Sequence, residues 1–134
     1  MTTARILATA LAAGSLLLAT PALAQADWGS TQVVAGRERI KVTVTGTEYP
    51  AGHCLIDPSF GTPDTQSIGM EPDGTIVIEN LKPGTHRVSV WCPQGGVIGE
   101  SVVEVQPGNP LLDLQDRAYA AGGSSEKVSD PALR

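Results

Sequence analysis

The chain of 134 residues has few of the side chains from which active sites and cofactor sites are usually built. It contains two histidines, two cysteines and five aromatic residues, namely two Trp, two Tyr and one Phe. It has no Gly-x-Ser-x-Gly elbow, phosphate-binding loop or His-Glu-x-x-His motif, so hydrolase and nucleotide-binding functions have no sequence support. Five aromatic residues also offer little stacking surface for a glycosidase. We therefore predict no catalytic residue and no cofactor.

Positive charge is also scarce. Nine Lys and Arg residues stand against 14 Asp and Glu residues, which gives a formal net charge of −5. Nucleic-acid binding needs a concentrated basic surface to neutralise phosphates, and anionic membranes attract basic segments. The sequence therefore predicts no nucleic-acid partner.

A long hydrophobic run occurs only once, near the start of the chain. Arg5 precedes an uncharged run from Ile6 to Ala19, and an Ala-x-Ala site follows that ends at Ala24. This order is typical of a signal peptide, here residues 1–24, cleaved between Ala24 and Gln25. The run is shorter than the ~20 residues that a membrane span needs. We expect a secreted or periplasmic protein exported by the Sec route, with no membrane span.

The remaining sequence has the alternation of β-strands. Ile40, Val42 and Val44 alternate with polar residues, which predicts a strand with these three side chains facing the core. Turn signals recur roughly every 8–15 residues, and no helical apolar stripe precedes Leu111. This pattern predicts an all-β fold, a small antiparallel β-sandwich of about seven strands.

The composition changes again toward the end of the chain. We expect a mobile lead at residues 25–32, the β-sandwich domain at residues 33–108 and a short appended segment at residues 109–120. The appended segment could form one helical turn or an extra strand. Residues 121–134 are Gly/Ser-rich and polar at their start, which is typical of a disordered tail.

The two cysteines, Cys54 and Cys92, both fall in predicted strands of an exported chain. An oxidising compartment favours a disulfide bond between them, and residue parity lets both side chains point into one core. A redox or nucleophilic role is disfavoured, because there is no Cys-x-x-Cys pair.

The histidines raise the alternative of a metal site. His53, His86 and Met70 are weak candidates for soft-metal ligands. However, His53 and Cys54 are adjacent and point to opposite faces, while His86 and Cys92 are too far apart along one strand to share an ion. We therefore expect both histidines at strand starts and no metal site.

Two surface features are candidates for an interface. Arg37, Arg39 and Lys41 alternate, which predicts a cationic stripe on the solvent side of the first strand that could receive an acidic peptide or glycan. The same charges could simply protect a strand edge from aggregation. Trp91 has the opposite parity to Cys92 and should lie on the outer face, where we expect residues 111–114 to cover it.

The segment at residues 73–90 resembles prealbumin-like β-sandwich modules, the carboxypeptidase regulatory-like and collagen-adhesin B-type repeats. It has a Gly at residue 74, a strand, Leu81, a Pro-Gly corner and the strand Val88-Ser89-Val90. His86 stands where these modules usually have Tyr. The resemblance implies an Ig-like or prealbumin-like sandwich. It also implies a non-catalytic module that is used for binding or as a spacer.

Together these features predict a secreted or periplasmic, monomeric, non-catalytic binding or accessory protein. Its partner is an unknown protein or glycan. Two alternatives remain: a small periplasmic metal-handling protein, and a secreted enzyme inhibitor acting through a loop such as residues 58–64.

Overall fold

Seven strands form two antiparallel sheets in the computed structural model, which describes residues 28–134. The strands are β1 (Ser30–Ala35), β2 (Ile40–Thr45), β3 (Leu55–Asp57), β4 (Ile68–Gly69), β5 (Thr75–Ile78), β6 (Gly84–Cys92) and β7 (Gly96–Val105). One sheet has the order β1-β2-β5 and the other β4-β3-β6-β7. The expected all-β sandwich of about seven strands is thus confirmed. The predicted signal peptide and its cleavage site at Ala24 and Gln25 lie outside the described residues.

The core lies between the two sheets and follows the predicted parity. Ile40 and Val42 of β2 are fully buried, and Val44 is nearly so. Val88 and Val90 of β6 belong to the same buried cluster. Period-two alternation in β2 and β6 places these side chains on one face of each strand, so apolar burial explains both strands.

The predicted disulfide bond is present between Cys54 and Cys92. Both cysteines are buried, and their Cα atoms are 4.2 Å apart. Leu55 of β3 lies opposite Trp91 of β6 in the register, so the cysteines are the next cross-strand neighbours. The bond therefore joins two adjacent strands of the four-stranded sheet.

The segment after β7 forms a full helix rather than one turn or a strand. Helix α1 spans Pro110–Ala121. The Asn109 side chain caps its start by accepting a hydrogen bond from the Leu112 amide, and proline is favoured at the first helical position. Leu111 and Leu114 are exposed on this helix, at 80% and 66%. They do not cover Trp91, which corrects that expectation.

The expected disordered tail is also corrected. Residues 122–134 include two short 3-10 turns, Ser125–Lys127 and Pro131–Leu133, and the second packs against β1 and β2. Val128, Asp130 and Ala132 are buried. These few buried contacts order a segment whose composition alone suggests disorder.

The start of the domain differs from its predicted boundary as well. Strand β1 begins at Ser30, inside the expected mobile lead, because residues 30–35 pair with β2. None of the helices among residues 28–134 is long and apolar enough to cross a membrane.

Candidate functional site

The predicted cationic stripe does not face solvent, so this candidate interface is corrected. Arg37 is 7% exposed and Arg39 is 9% exposed, because α1 and the tail cover this side of the three-stranded sheet. Lys41 is half-buried and donates a hydrogen bond to the Arg134 carbonyl oxygen. An acidic partner peptide therefore cannot reach the stripe while the C-terminal segment is in place.

The two arginines instead join three carboxylates, and we call these five residues the arginine cluster. Arg37 Nε lies 3.1 Å from Asp113 Oδ1, and Arg37 Nη2 pairs with Asp116 Oδ2. Arg39 Nη1 lies 3.2 Å from Asp130 Oδ2. Burial of a charge requires such pairing, and the cluster supplies it from α1 and from the tail.

Asp130 fits against β1 because residue 36 is glycine. A Cβ atom on Gly36 would lie 1.8 Å from Asp130 Oδ1. The Asp130 carboxylate accepts hydrogen bonds from the Arg37 amide at 3.1 Å and from the Ala132 amide at 2.9 Å. The close approach therefore depends on the missing side chain at residue 36.

The electrostatics of the cluster favour its charged form. Burial by itself would raise the pKa of Asp116, but hydrogen bonds from Ser129, Arg37 and the Asp130 amide outweigh it and lower the pKa to about 2. Burial would lower the pKa of Arg37, but its bonds to Asp116 and Asp113 raise it above the usual value. The residues of the arginine cluster are thus ionised, and their ion pairs attach the C-terminal segment to the three-stranded sheet.

Trp91 does lie on the outer face, and it is 42% exposed. It forms one wall of a shallow groove of about 220 Å³ on the four-stranded sheet. Leu55 on β3 and Val97 on β7 are its cross-strand neighbours, and Phe60 from the loop after β3 closes the other end. We call this site the Trp91 groove.

Polar side chains complete the Trp91 groove. Ser89 lies two residues before Trp91 on the same face of β6, and Asp57 of β3 is its cross-strand partner. The Asp57 carboxylate accepts hydrogen bonds from the Ser59 amide at 2.9 Å, the Gln66 amide at 3.3 Å and the Thr65 hydroxyl. Asp57 is therefore already occupied in holding the loop that carries Phe60.

The outer edge of the groove is neutralised by an ion pair. The Arg87 guanidinium lies 5.1 Å from the centre of the Phe60 ring and 2.8 Å from a Glu100 carboxylate oxygen. Arg87 thereby covers one face of Phe60 and balances the charge of Glu100. Trp91 supplies the other exposed aromatic surface of the groove.

The weak metal-ligand candidates lie in separate places. His53 is exposed in the 3-10 turn Ala51–His53, whereas Met70 is buried in the core. The His86 ring nitrogens lie 3.0 Å and 2.7 Å from the carbonyl oxygens of Pro58 and Lys82. Across residues 28–134, no group of three or more His, Cys, Asp or Glu side chains is arranged to hold a metal ion.

The sequence reasoning found Trp91 but missed the rest of the groove. Leu55 alternates with the core residues Cys54 and Ile56, so its parity was the signal that could have placed it on the outer face beside Trp91. Phe60 and Val97 could not be assigned in this way, since one lies in a loop and the other follows a β-bulge in the pairing of β6 with β7.

Comparison of the chain with protein-family models, with curated proteins and with solved structures gave no match in any of the three. The geometry of the described residues is therefore the basis for assigning a function.

Proposed function

We propose that this protein is an exported, non-catalytic binding or accessory module whose binding site is the Trp91 groove. The carrying observation is the group of large apolar side chains around the groove, Leu55, Phe60, Trp91 and Val97, which are 36–53% exposed on one sheet face. Exposed apolar groups that surround a concave surface mark binding sites, and Trp is a frequent anchor in them.

The sheet order supports an Ig-like type of sandwich. The orders β1-β2-β5 and β4-β3-β6-β7 match the A-B-E and C-F-G neighbours of Ig domains. The disulfide differs, since Cys54 and Cys92 link adjacent strands of one sheet instead of opposite sheets. Such sandwiches host many functions, so the fold supports a binding role only together with the groove.

Secretion or periplasmic export follows from the predicted signal peptide and agrees with the disulfide bond. This export is tested by identifying the N-terminal residue of the protein recovered outside the cytoplasm. Mass spectrometry should find Gln25 as the first residue; a chain that retains Met1 there would contradict the cleavage.

The binding role can be tested by capture from the compartment in which the protein resides. Immobilised wild-type protein should retain a component of the native extracellular or periplasmic extract, and Trp91→Ala should retain much less of it. The measurement is the amount of the captured component, quantified after elution.

Val102→Ala is the matched control, because Val102 is an apolar residue, 70% exposed, on the same sheet but outside the groove. Its capture should equal that of the wild type. Equal capture by Trp91→Ala and the wild type would exclude the groove as the binding site.

A further inference from the structure

The Ser89 hydroxyl is the most informative group in the Trp91 groove. Ser89 is 5% exposed, lines the groove and has no hydrogen-bond partner for its side chain among residues 28–134. The Ser89 oxygen remains open to the groove, since Arg39 Nε is the one fully buried side-chain polar atom without a partner among residues 28–134, and a hydroxyl there can both donate and accept hydrogen bonds. The groove therefore has an unfilled hydrogen-bond position between its apolar walls.

The charges around the groove favour a neutral ligand. No Lys or Arg lines it and Arg87 at its edge is paired with Glu100, so an anionic ligand would meet the Asp57 carboxylate without a free cation to balance it. A cationic ligand would have to compete with the three donors that Asp57 already accepts, and Glu100 is paired with Arg87. The groove therefore favours an uncharged ligand.

The position of the groove disfavours an extended peptide. The groove lies on the face of the sheet, where β3 pairs with β4 and β6, and β6 pairs with β3 and β7. A peptide centred on Trp91 would lie over β3 and β6, which have no free edge for its backbone amides, since the edge strands of this sheet are β4 and β7. Its backbone amides and carbonyl groups would meet only two unpaired hydroxyls, those of Ser89 and Ser67.

A sugar ring matches these requirements. Its C–H face can lie on the electron-rich face of Trp91, while its hydroxyl groups can both donate to and accept from Ser89 and Ser67. A groove of about 220 Å³ has room for roughly one sugar unit, and its shallow, open form leaves space for a chain to continue beyond it.

We propose that the Trp91 groove binds a neutral glycan chain, with one sugar unit stacked on Trp91 and hydrogen-bonded to Ser89. This inference rests on the proposed binding function of the same groove and names the ligand class.

The test uses the mature chain and three uncharged probes: cellohexaose, maltohexaose and xylohexaose. Titration is followed by calorimetry and by tryptophan fluorescence in a Trp28→Phe background, which leaves Trp91 as the only tryptophan. At least one probe should bind saturably, with an affinity that added salt barely changes because the ligand is uncharged.

The variants locate the binding. Trp91→Ala should weaken it about tenfold or more, and Ser89→Ala about threefold through the lost hydrogen bond. Val102→Ala should bind like the wild type, and urea unfolding of each variant checks that it is folded. Absence of binding by all three probes, or binding that both groove variants leave unchanged, overturns the glycan inference.

Treatment of the native extract separates this inference from the binding function itself. Periodate, which cleaves the vicinal diols of sugars, should abolish the Trp91-dependent capture, whereas protease should not. Trp91-dependent capture that protease abolishes and periodate spares would overturn the glycan ligand but keep the binding function. Capture that is independent of Trp91 would overturn both.

Discussion

Arg37 and Arg39 show how a buried charge can hold a segment in place. Arg37 hydrogen-bonds to carboxylates that lie 76 to 93 residues away in the chain, and Arg39 to one that lies 91 residues away. Such pairs add little net stability compared with apolar packing, but removing one partner leaves the other charge buried and unpaired. The cluster therefore holds the C-terminal segment in place only when all of its members are present.

Asp116→Ala should lower the free energy of unfolding by about 3 kcal/mol, because Arg37 stays buried with one carboxylate fewer. Urea unfolding followed by circular dichroism measures it. Asp64→Ala is the control, since Asp64 is exposed and pairs only with the exposed Lys82; it should cost less than about 1 kcal/mol. Equal effects of the two substitutions would contradict the special role of the cluster.

Acid should weaken the same attachment. The pKa of Asp116 is about 2 in the folded chain, below the ordinary value of 3.8 for an unperturbed carboxyl. The stability it contributes is therefore complete above about pH 4 and is lost as the pH falls toward 2. The urea midpoint measured between pH 5 and pH 2 should fall, and Asp116→Ala should lose less over this window than the wild type does.

At the scale of elements, the C-terminal segment is a packed part of the domain and not a flexible extension of it. The turn Pro131–Leu133 packs against β1 and β2, and the α1 carboxylates reach Arg37 and Arg39 just before β2, so the C-terminal segment buries both arginines. The contact depends on Gly36, where the carboxylate of Asp130 takes the place of a side chain.

Gly36→Ala should therefore displace the turn from β1 and destabilise the protein by about 1–3 kcal/mol through overpacking. Gly69→Ala is the matched control, because Gly69 ends β4 and a Cβ there would meet no atom within 4 Å. Hydrogen exchange should report faster exchange at Val128 and Ala132 in Gly36→Ala alone. Unchanged protection in that variant would mean that the turn tolerates the added methyl group.

At the scale of the whole molecule, the disulfide closes a loop of 38 residues in a small domain. In the chain-entropy description, a loop of this length contributes about 4 kcal/mol by restricting the unfolded state. Reduction should lower the free energy of unfolding by that amount, measured by urea titration with and without reductant. A Cys54→Ser/Cys92→Ser variant should match the reduced protein and show no response to reductant.

The sequence predicted features that depend on neighbouring residues, and it missed those that depend on residues far apart in the chain. Parity within β2 and β6 placed Ile40, Cys92 and Trp91 correctly, because alternation is a local property. Parity also placed Arg39 opposite Ile40, but it could not show that distant carboxylates cover that face. The expectation that Leu114 helps to cover Trp91 was wrong because an apolar residue on a short helix need not be buried.

The groove was only partly predictable on the same grounds. Trp91 is set by its strand, whereas Phe60 depends on a loop held by the hydrogen bonds of Asp57. Such loop geometry has no periodic signal in the sequence.

The long sequence separations in the arginine cluster also set an order of events during synthesis. A chain made from its N-terminus presents Arg37 and Arg39 well before Asp116 and Asp130, which follow 79 and 91 residues later. Until then the outer side of the three-stranded sheet has no counter-ions from the helix or the turn. Packing of this face is thus a late step that awaits the segment with Asp116 and Asp130, and chains that emerge N-terminus first carry a cationic sheet face which the folded molecule covers.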